Sequence, residues 1–311
     1  MEFFKKTTNI DFLGIRRAVM IVTAVLMILS VALVFVRGLN LGLDFTGGTV
    51  VELGYEETPD LDEVRRLLEE SEFSGAIVQF YGSSHEVMVR LPPHGELDSA
   101  EISGRVLEVL QAGGQKVELR RVEFVGAQVG EELAEQGGLA MIYAAIGILI
   151  YVAMRFELRF AIASVVATVH DVVLVLGIFA ATQMTFDLNI LAAILAIIGY
   201  SLNDTVVVFD RVRENFRRMR TAGVVETFNA SLNQTLSRTI MTGVTTMLVL
   251  AALLVQGGET LRGFSIALIL GVVIGTWSSI YVASPVAIML GVSRKDLLPV
   301  EKEGADLPSR P

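Results

Sequence analysis

The 311-residue sequence contains no cysteine, which excludes disulfides, thiol catalysis and thiolate metal sites without fixing a redox compartment. Histidine is scarce, with three residues. Two of them, His85 and His94, fall in a polar segment and offer no metal-ligand spacing. There is no phosphate loop, nucleophile triad or zinc motif. The Gly47-Gly48 pair follows Asp44 in the run from Gly42 to Thr49, but the lysine of a phosphate loop is missing. Those glycines are expected to make a tight turn into a strand. No enzymatic chemistry and no cofactor are expected from this inventory.

What is present is apolar length. The chain is 52% hydrophobic with mean hydropathy +0.59, too apolar for an ordinary soluble domain. Six stretches, roughly 18–36, 138–154, 160–181, 188–209, 239–256 and 263–290, approach the ~17–25 residues a spanning helix needs. The fold class expected is a polytopic α-helical membrane protein. The first run, Ala18 to Val36, is longer than a signal-peptide core and ends at Arg37 without a small-x-small cleavage motif, so it reads as a permanent span.

Charge is unevenly spread. Residues 37–136 hold 20 acidic against 8 basic residues, a net −12, whereas the remainder carries +3. An acidic segment of that size would repel phosphate, so nucleic acid is not an expected partner. Lys5, Lys6, Arg16 and Arg17 precede the first span, and Arg155 and Arg159 lie between the second and third. Arg211, Arg213, Arg217, Arg218 and Arg220 follow the fourth, and Arg294 and Lys295 the sixth. The positive-inside bias places residues 1–17 and the tail 291–311 in the cytoplasm and residues 37–136 outside.

That outer segment reads β-α-β-β-α-β: a strand at Thr49–Leu53, a helix over residues 61–70 with Pro59 in its first turn, and strands at Ile77–Tyr81 and Val87–Leu91 joined by residues 82–84. A second helix opened by a capping box of Asp98 and Glu101 leads to a last strand at Val117–Val125. The order predicts an α+β ferredoxin-like domain, a fold that serves many functions. The five remaining spans form a bundle over residues 137–290. Within it, residues 211–238 are expected as an amphipathic cytoplasmic loop, with Val225, Phe228, Leu232 and Leu236 marking a short helix along the inner membrane surface.

Ionisable residues inside spans are costly and mark functional candidates. Asp204 lies near the inner end of the fourth span and Arg238 at the mouth of the fifth. An aspartate exchanges a proton, whereas arginine stays charged and acts only on the field around it. Spacings of three, four and seven put Tyr200, Ser201, Asp204 and Arg211 near one helix face, with Asn203 and Thr205 beside them. Arg238, Thr242 and Thr245 form a polar stripe that lines a hydrated path or bonds to neighbouring helices. His170 and Asp171, in the middle of the third span, are a second titrating station or an interhelical hydrogen-bonded pair. Ala267, Gly271, Gly275, Ser279 and Ala283 make a small-residue stripe suited to close helix packing, with its neighbour left open.

Several of these segments are long: Gly42 to Thr49, Val125 to Leu133, His170-Asp171, Tyr200 to Asn215, Leu232 to Thr239 and Gly271 to Pro285. Together they touch or flank all six spans, and they resemble the SecF family of bacterial protein-export subunits within the RND superfamily. The resemblance implies a six-helix half-transporter that pairs with SecD and associates with the SecYEG translocon, with YajC and unfolded preproteins as further partners. It implies a multi-pass protein of the bacterial inner membrane, driven by the proton gradient rather than by a bound cofactor. It also implies that Asp204 and Arg238 are the intramembrane acid and arginine linked to proton conduction. Half of an RND-type small-molecule or lipid exporter is the alternative, against which the small outer segment argues. An assembly scaffold without proton flux is a third reading.

Overall fold

The computed structural model describes residues 8–93 and 99–293. Helix α1 (Arg16–Arg37) leads through a short turn, α2 (Leu43–Thr46), into an α+β unit. The unit comprises β1 (Gly48–Tyr55), α3 (Leu61–Glu69), β2 (Ile77–Tyr81), β3 (Ser83–Leu91), α4 (Ser99–Ala112) and β4 (Val117–Val125). Its sheet is wholly antiparallel in the order β2-β3-β1-β4, as a ferredoxin-like connection requires. Alternation along the strands sends Val51, Leu53, Val87, Val89 and Leu91 to one face. There they pack against Val64 and Leu68 of α3 and Ile102, Val106 and Leu110 of α4. The domain's first helix starts at Leu61 as expected, but Pro59 lies before it rather than in its first turn: Asp60 is the cap, its side chain accepting the Asp62 N–H at 2.9 Å. The expected capping box at Asp98 lies outside the described residues, as does His94.

The domain's two ends meet at the glycine pair. Gly47 (φ 64°) closes α2 and Gly48 (φ 115°) opens β1, both in conformations that side chains strain to adopt. A Cβ on Gly48 would sit 2.2 Å from the Leu91 carbonyl oxygen, and one on Gly47 would sit 2.7 Å from Ala127 Cα. Ala127 begins α5 (Ala127–Arg155), directly after β4. Gly130, one turn on, approaches Gly47 just as closely. The chain thus leaves the bundle and returns to it at one neck.

The bundle continues with α6 (Leu158–Thr182), α7 (Leu188–Arg218), α8 (Val224–Gln256) and α9 (Gly258–Ser278). A π-turn (Ser279–Ala283) then leads into α10 (Ser284–Met289). Among the described residues six helices are long and apolar enough to cross a membrane, the last being the continuous run Gly258–Met289. The chain is therefore a multi-pass membrane protein.

Residues 211–238 depart from expectation. Helix α7 runs on to Arg218, and α8 begins at Val224 and continues without a break through the fifth span. The apolar residues read as a membrane-surface face turn inward instead. Phe228 and Leu232 are buried in a cluster with Phe160, Phe209 and Phe216, with Val225 and Leu236 packed around it. Polar groups close the same contact: Asn215 donates to Ser231 Oγ at 2.8 Å and to Gln234 Oε1 at 2.9 Å.

Candidate functional site

The site forms where α6, α7, α8 and α9 meet, and small residues make that meeting close. A Cβ on Gly271 would fall 2.2 Å from Ile197 Cγ1, and one on Gly275 would fall 3.1 Å from Ser201 Cβ. The neighbour of the small-residue stripe is thus α7 of the same chain. With the backbones in this proximity, short hydroxyl side chains reach across.

Asp171 is fully buried and makes three side-chain hydrogen bonds. Ser201 Oγ of α7 and Ser278 Oγ of α9 both donate to Oδ2, the latter at 2.8 Å, and His170 Nδ1 lies 2.8 Å from Oδ1. One turn further along α7, Thr205 and Ser279 pair at 3.0 Å, both buried. The π-turn begins at that serine, and Ser284 Oγ donates to the Ser279 carbonyl, five residues back, at 3.0 Å. π-Turns recur at functional positions because the extra residue re-aims the side chains around it.

Asp204, 4% exposed, accepts the Thr239 hydroxyl of α8 at 3.2 Å on Oδ1. Its other oxygen is buried with no protein partner among the described residues, and so are His170 Nε2 and Tyr200 Oη. Buried polar atoms in this position are ordinarily satisfied by water or by a second protein surface. Arg238, one residue before Thr239, is exposed, and no ion pair joins it to Asp204 among the described residues. Asn203 is exposed on the neighbouring side of α7.

The shared face expected on α7 divides. Ser201 and Thr205 turn to α6 and α9, Asp204 turns to α8, and Arg211 pairs with Glu214 at 2.7 Å. Thr242 and Thr245 bond their own helix, Thr242 to the Arg238 and Thr239 carbonyls at 3.0 Å and Thr245 to the Met241 carbonyl at 2.9 Å. Sequence reasoning missed Thr239 and Ser278 as carboxylate partners, although both stand inside segments already singled out.

It also missed an anchor at the start of α7. Asp44 Oδ2 accepts the Leu188 N–H at 3.0 Å while Asp187 Oδ1 accepts the Ile190 N–H at 2.9 Å, so two carboxylates cap the helix that carries Asp204. Arg90 of β3 donates to Asn40 Oδ1 at 2.6 Å and to the Leu41 carbonyl, fastening the sheet to the same segment.

Residues 32–59, which contain Asn40, Asp44 and the glycine pair, match the SecD/SecF GG motif, and residues 105–293 match the protein export membrane protein SecD/SecF, C-terminal family. The chain belongs to the SecD/SecF family. It is 49% identical over 296 residues to the protein translocase subunit SecF of Pseudomonas aeruginosa, covering 94% of this chain and 95% of that one. Against SecF of Vibrio alginolyticus it is 45% identical, covering 100% and 99%. The crystal structure of SecDF, a translocon-associated membrane protein from Thermus thermophilus, superimposes with a TM-score of 0.82 at 39% identity. That match takes in 93% of this chain but only 39% of the SecDF chain. A SecDF structure in a super-membrane-facing form matches with a TM-score of 0.63 at 37% identity.

Proposed function

We propose that this chain is the SecF half of a proton-driven protein-export machine. With SecD completing the other half of the bundle, it draws preproteins across the SecYEG channel at the outer side of the bacterial inner membrane. YajC is a further partner in this reading. Both termini are cytoplasmic, no cofactor is held, and the energy source is the proton gradient.

The observation that carries the reading is Asp204: a carboxylate inside a membrane helix, buried, held on one oxygen by Thr239, with the second oxygen free to take a proton. Arg238 and Asn203, exposed on the adjoining helix surfaces, supply the polar wall against which an acid of the SecD half would work. Asp171 and His170 stand one helix away as a second station, and Ser201, Thr205 and Thr242 support the two. The anchor from Asp44 to Leu188 gives a path from the acid-bearing helix to the outer domain.

The test is gradient-dependent export in membrane vesicles bearing the chain with its SecD partner, comparing the parent with Asp204→Asn at matched expression. Asparagine keeps the acceptor for Thr239 and removes the exchangeable proton. Loss of the gradient-dependent part of export, with assembly intact, is the expected outcome; unchanged gradient dependence removes Asp204 from the coupling path.

A further inference from the structure

The cluster around Asp171 is often the kind of group set aside as structural, yet its hydrogen bonds leave one lone pair over. Asp171 spends Oδ2 on the Ser201 and Ser278 hydroxyls and Oδ1 on His170. With Asp171 ionised, its oxygens only accept, and His170 Nδ1 then carries the hydrogen. In a neutral imidazole the other nitrogen is then a bare acceptor. That atom, Nε2, is buried in a residue 2% exposed, with no partner among the described residues. A carboxylate that holds one imidazole nitrogen in its protonated form makes the other the basic atom, as in carboxylate–histidine pairs elsewhere.

We propose that His170 Nε2 is a proton-accepting atom of the membrane core, with Asp171 as the positioning residue that sets its tautomer and Ser201 and Ser278 as the clamps on Asp171. The inference rests on the proton-coupled reading above and names the atom that would serve beside Asp204. In the step itself, a hydronium ion gives its proton to Nε2 and departs as water. The new N–H bond leaves an imidazolium whose charge is met by the Asp171 carboxylate through Nδ1–H. Release reverses the step.

Few other charges bear on the cluster. Helix α6 packs against α1, α5, α7, α9, the π-turn and α10. Helix α1 has no titratable residue between Arg17 and Arg37, and α10 has none. Helix α7 brings the phenol Tyr200, Asp204, held by Thr239, and toward its C-terminal end Asp210, which pairs with Arg155 of α5 at 3.2 Å, followed by Arg211, Arg213, Glu214, Arg217 and Arg218 in the last turns. The remaining charges of α5, α6 and α9 sit at the helix ends, at Glu131, Glu132, Glu135, Arg159, Glu259 and Arg262, while Tyr143, Tyr151 and Tyr281 are phenols. The π-turn adds the geometric requirement. It begins directly after Ser278, so the hydroxyl that reaches Asp171 and the hydroxyl of Ser279 that reaches Thr205 leave α9 at the same point.

The tautomer is read directly by nitrogen NMR of the full-length chain in nanodiscs with 15N-histidine. There are three histidines to resolve, and His170 is assigned by its loss in His170→Gln. The expected spectrum at neutral pH shows one protonated nitrogen, Nδ1, and one bare nitrogen, Nε2, and on acidification the bare signal moves to the protonated position. In Asp171→Asn the single tautomer gives way to a mixture. In vesicles with the SecD partner, His170→Gln loses the gradient-dependent part of export or shifts its pH profile. An Nε2–H tautomer in the parent overturns the proposal, and so does unchanged export with an unchanged pH profile in His170→Gln. Asp204→Asn in the same vesicles reports on the underlying coupling, so failure of one is told apart from failure of the other.

Discussion

Replacing Gly271 with alanine tests whether the α7–α9 contact is as tight as the site requires. The added methyl would meet three atoms of one side chain, Ile197 Cγ1, Cδ1 and Cγ2, at 2.2, 2.5 and 2.9 Å. Carbon atoms rest about 3.5–4.0 Å apart. Ile197 is 1% exposed and has no open side to retreat into. Overpacking of this kind costs about 1–3 kcal/mol, partly offset by the roughly 1 kcal/mol by which alanine outranks glycine in a helix. Three contacts below 3.0 Å put this site at the upper end of that range, so a net loss of about 2 kcal/mol is expected in an SDS-titrated unfolding equilibrium in mixed micelles. Ile197→Ala alone should cost about 2–5 kcal/mol through the cavity it leaves. In the double variant the new methyl enters the vacated space, so the two losses should fall short of their sum by about 1–3 kcal/mol. Additivity to within about 0.5 kcal/mol, or a neutral Gly271→Ala, would refute the packing argument and with it the explanation of why Ser278 reaches Asp171.

Three further outcomes are expected. Gly48→Ala places a Cβ against the Leu91 carbonyl at a φ of 115°, so it should destabilise the outer domain by about 3 kcal/mol or more and open it to limited proteolysis; resistance equal to the parent's counts against the described turn. Asn233→Ala should cost about 1–2 kcal/mol in the same micelle titration, because the carboxamide holds both the N–H and the carbonyl of Ile10 at 2.8 Å. Burial raises the carboxyl of Asp187 above its ordinary range, the Ile190 N–H lowers it, and Asp44 raises it further. A raised folded value means that the unfolded chain releases its proton first as pH climbs. The group's stabilising share is therefore complete below about pH 3.9 and is lost as pH rises through the folded value. Asp187→Asn should keep the cap on Ile190 and gain on the parent from about pH 4 upward, levelling off beyond; parallel pH curves would contradict the assignment.

Much of the architecture was legible because it rests on short-range rules. Apolar β-branched composition, turn residues and alternation marked the four strands, apolar length marked six spans, and Asp204, Arg238, His170 and Asp171 stood out as ionisable residues in apolar runs. The failure at 211–238 has a physical cause. A helix lying on a membrane and a helix packed on a bundle show the same apolar period, so Phe228 and Leu232 looked alike in either role, and only their contact with Phe160 and Phe209 decides between them. Partners at long separation were equally hidden. Nothing local joins Asp44 to Leu188, 144 residues away. Nor does helical spacing pair Ser279 with Thr205, since a π-turn breaks the regular period where the two meet.

The neck formed by Gly47, Ala127 and Gly130 makes the α+β domain a cassette. A module whose two ends share one point of attachment can be lengthened, shortened or exchanged without moving the helices that hold it. The bundle fixes where the module stands but sets no limit on its size. In engineering terms, a reporter protein grafted between those two ends, with the glycine pair kept, would inherit the mounting and ride on the same helices.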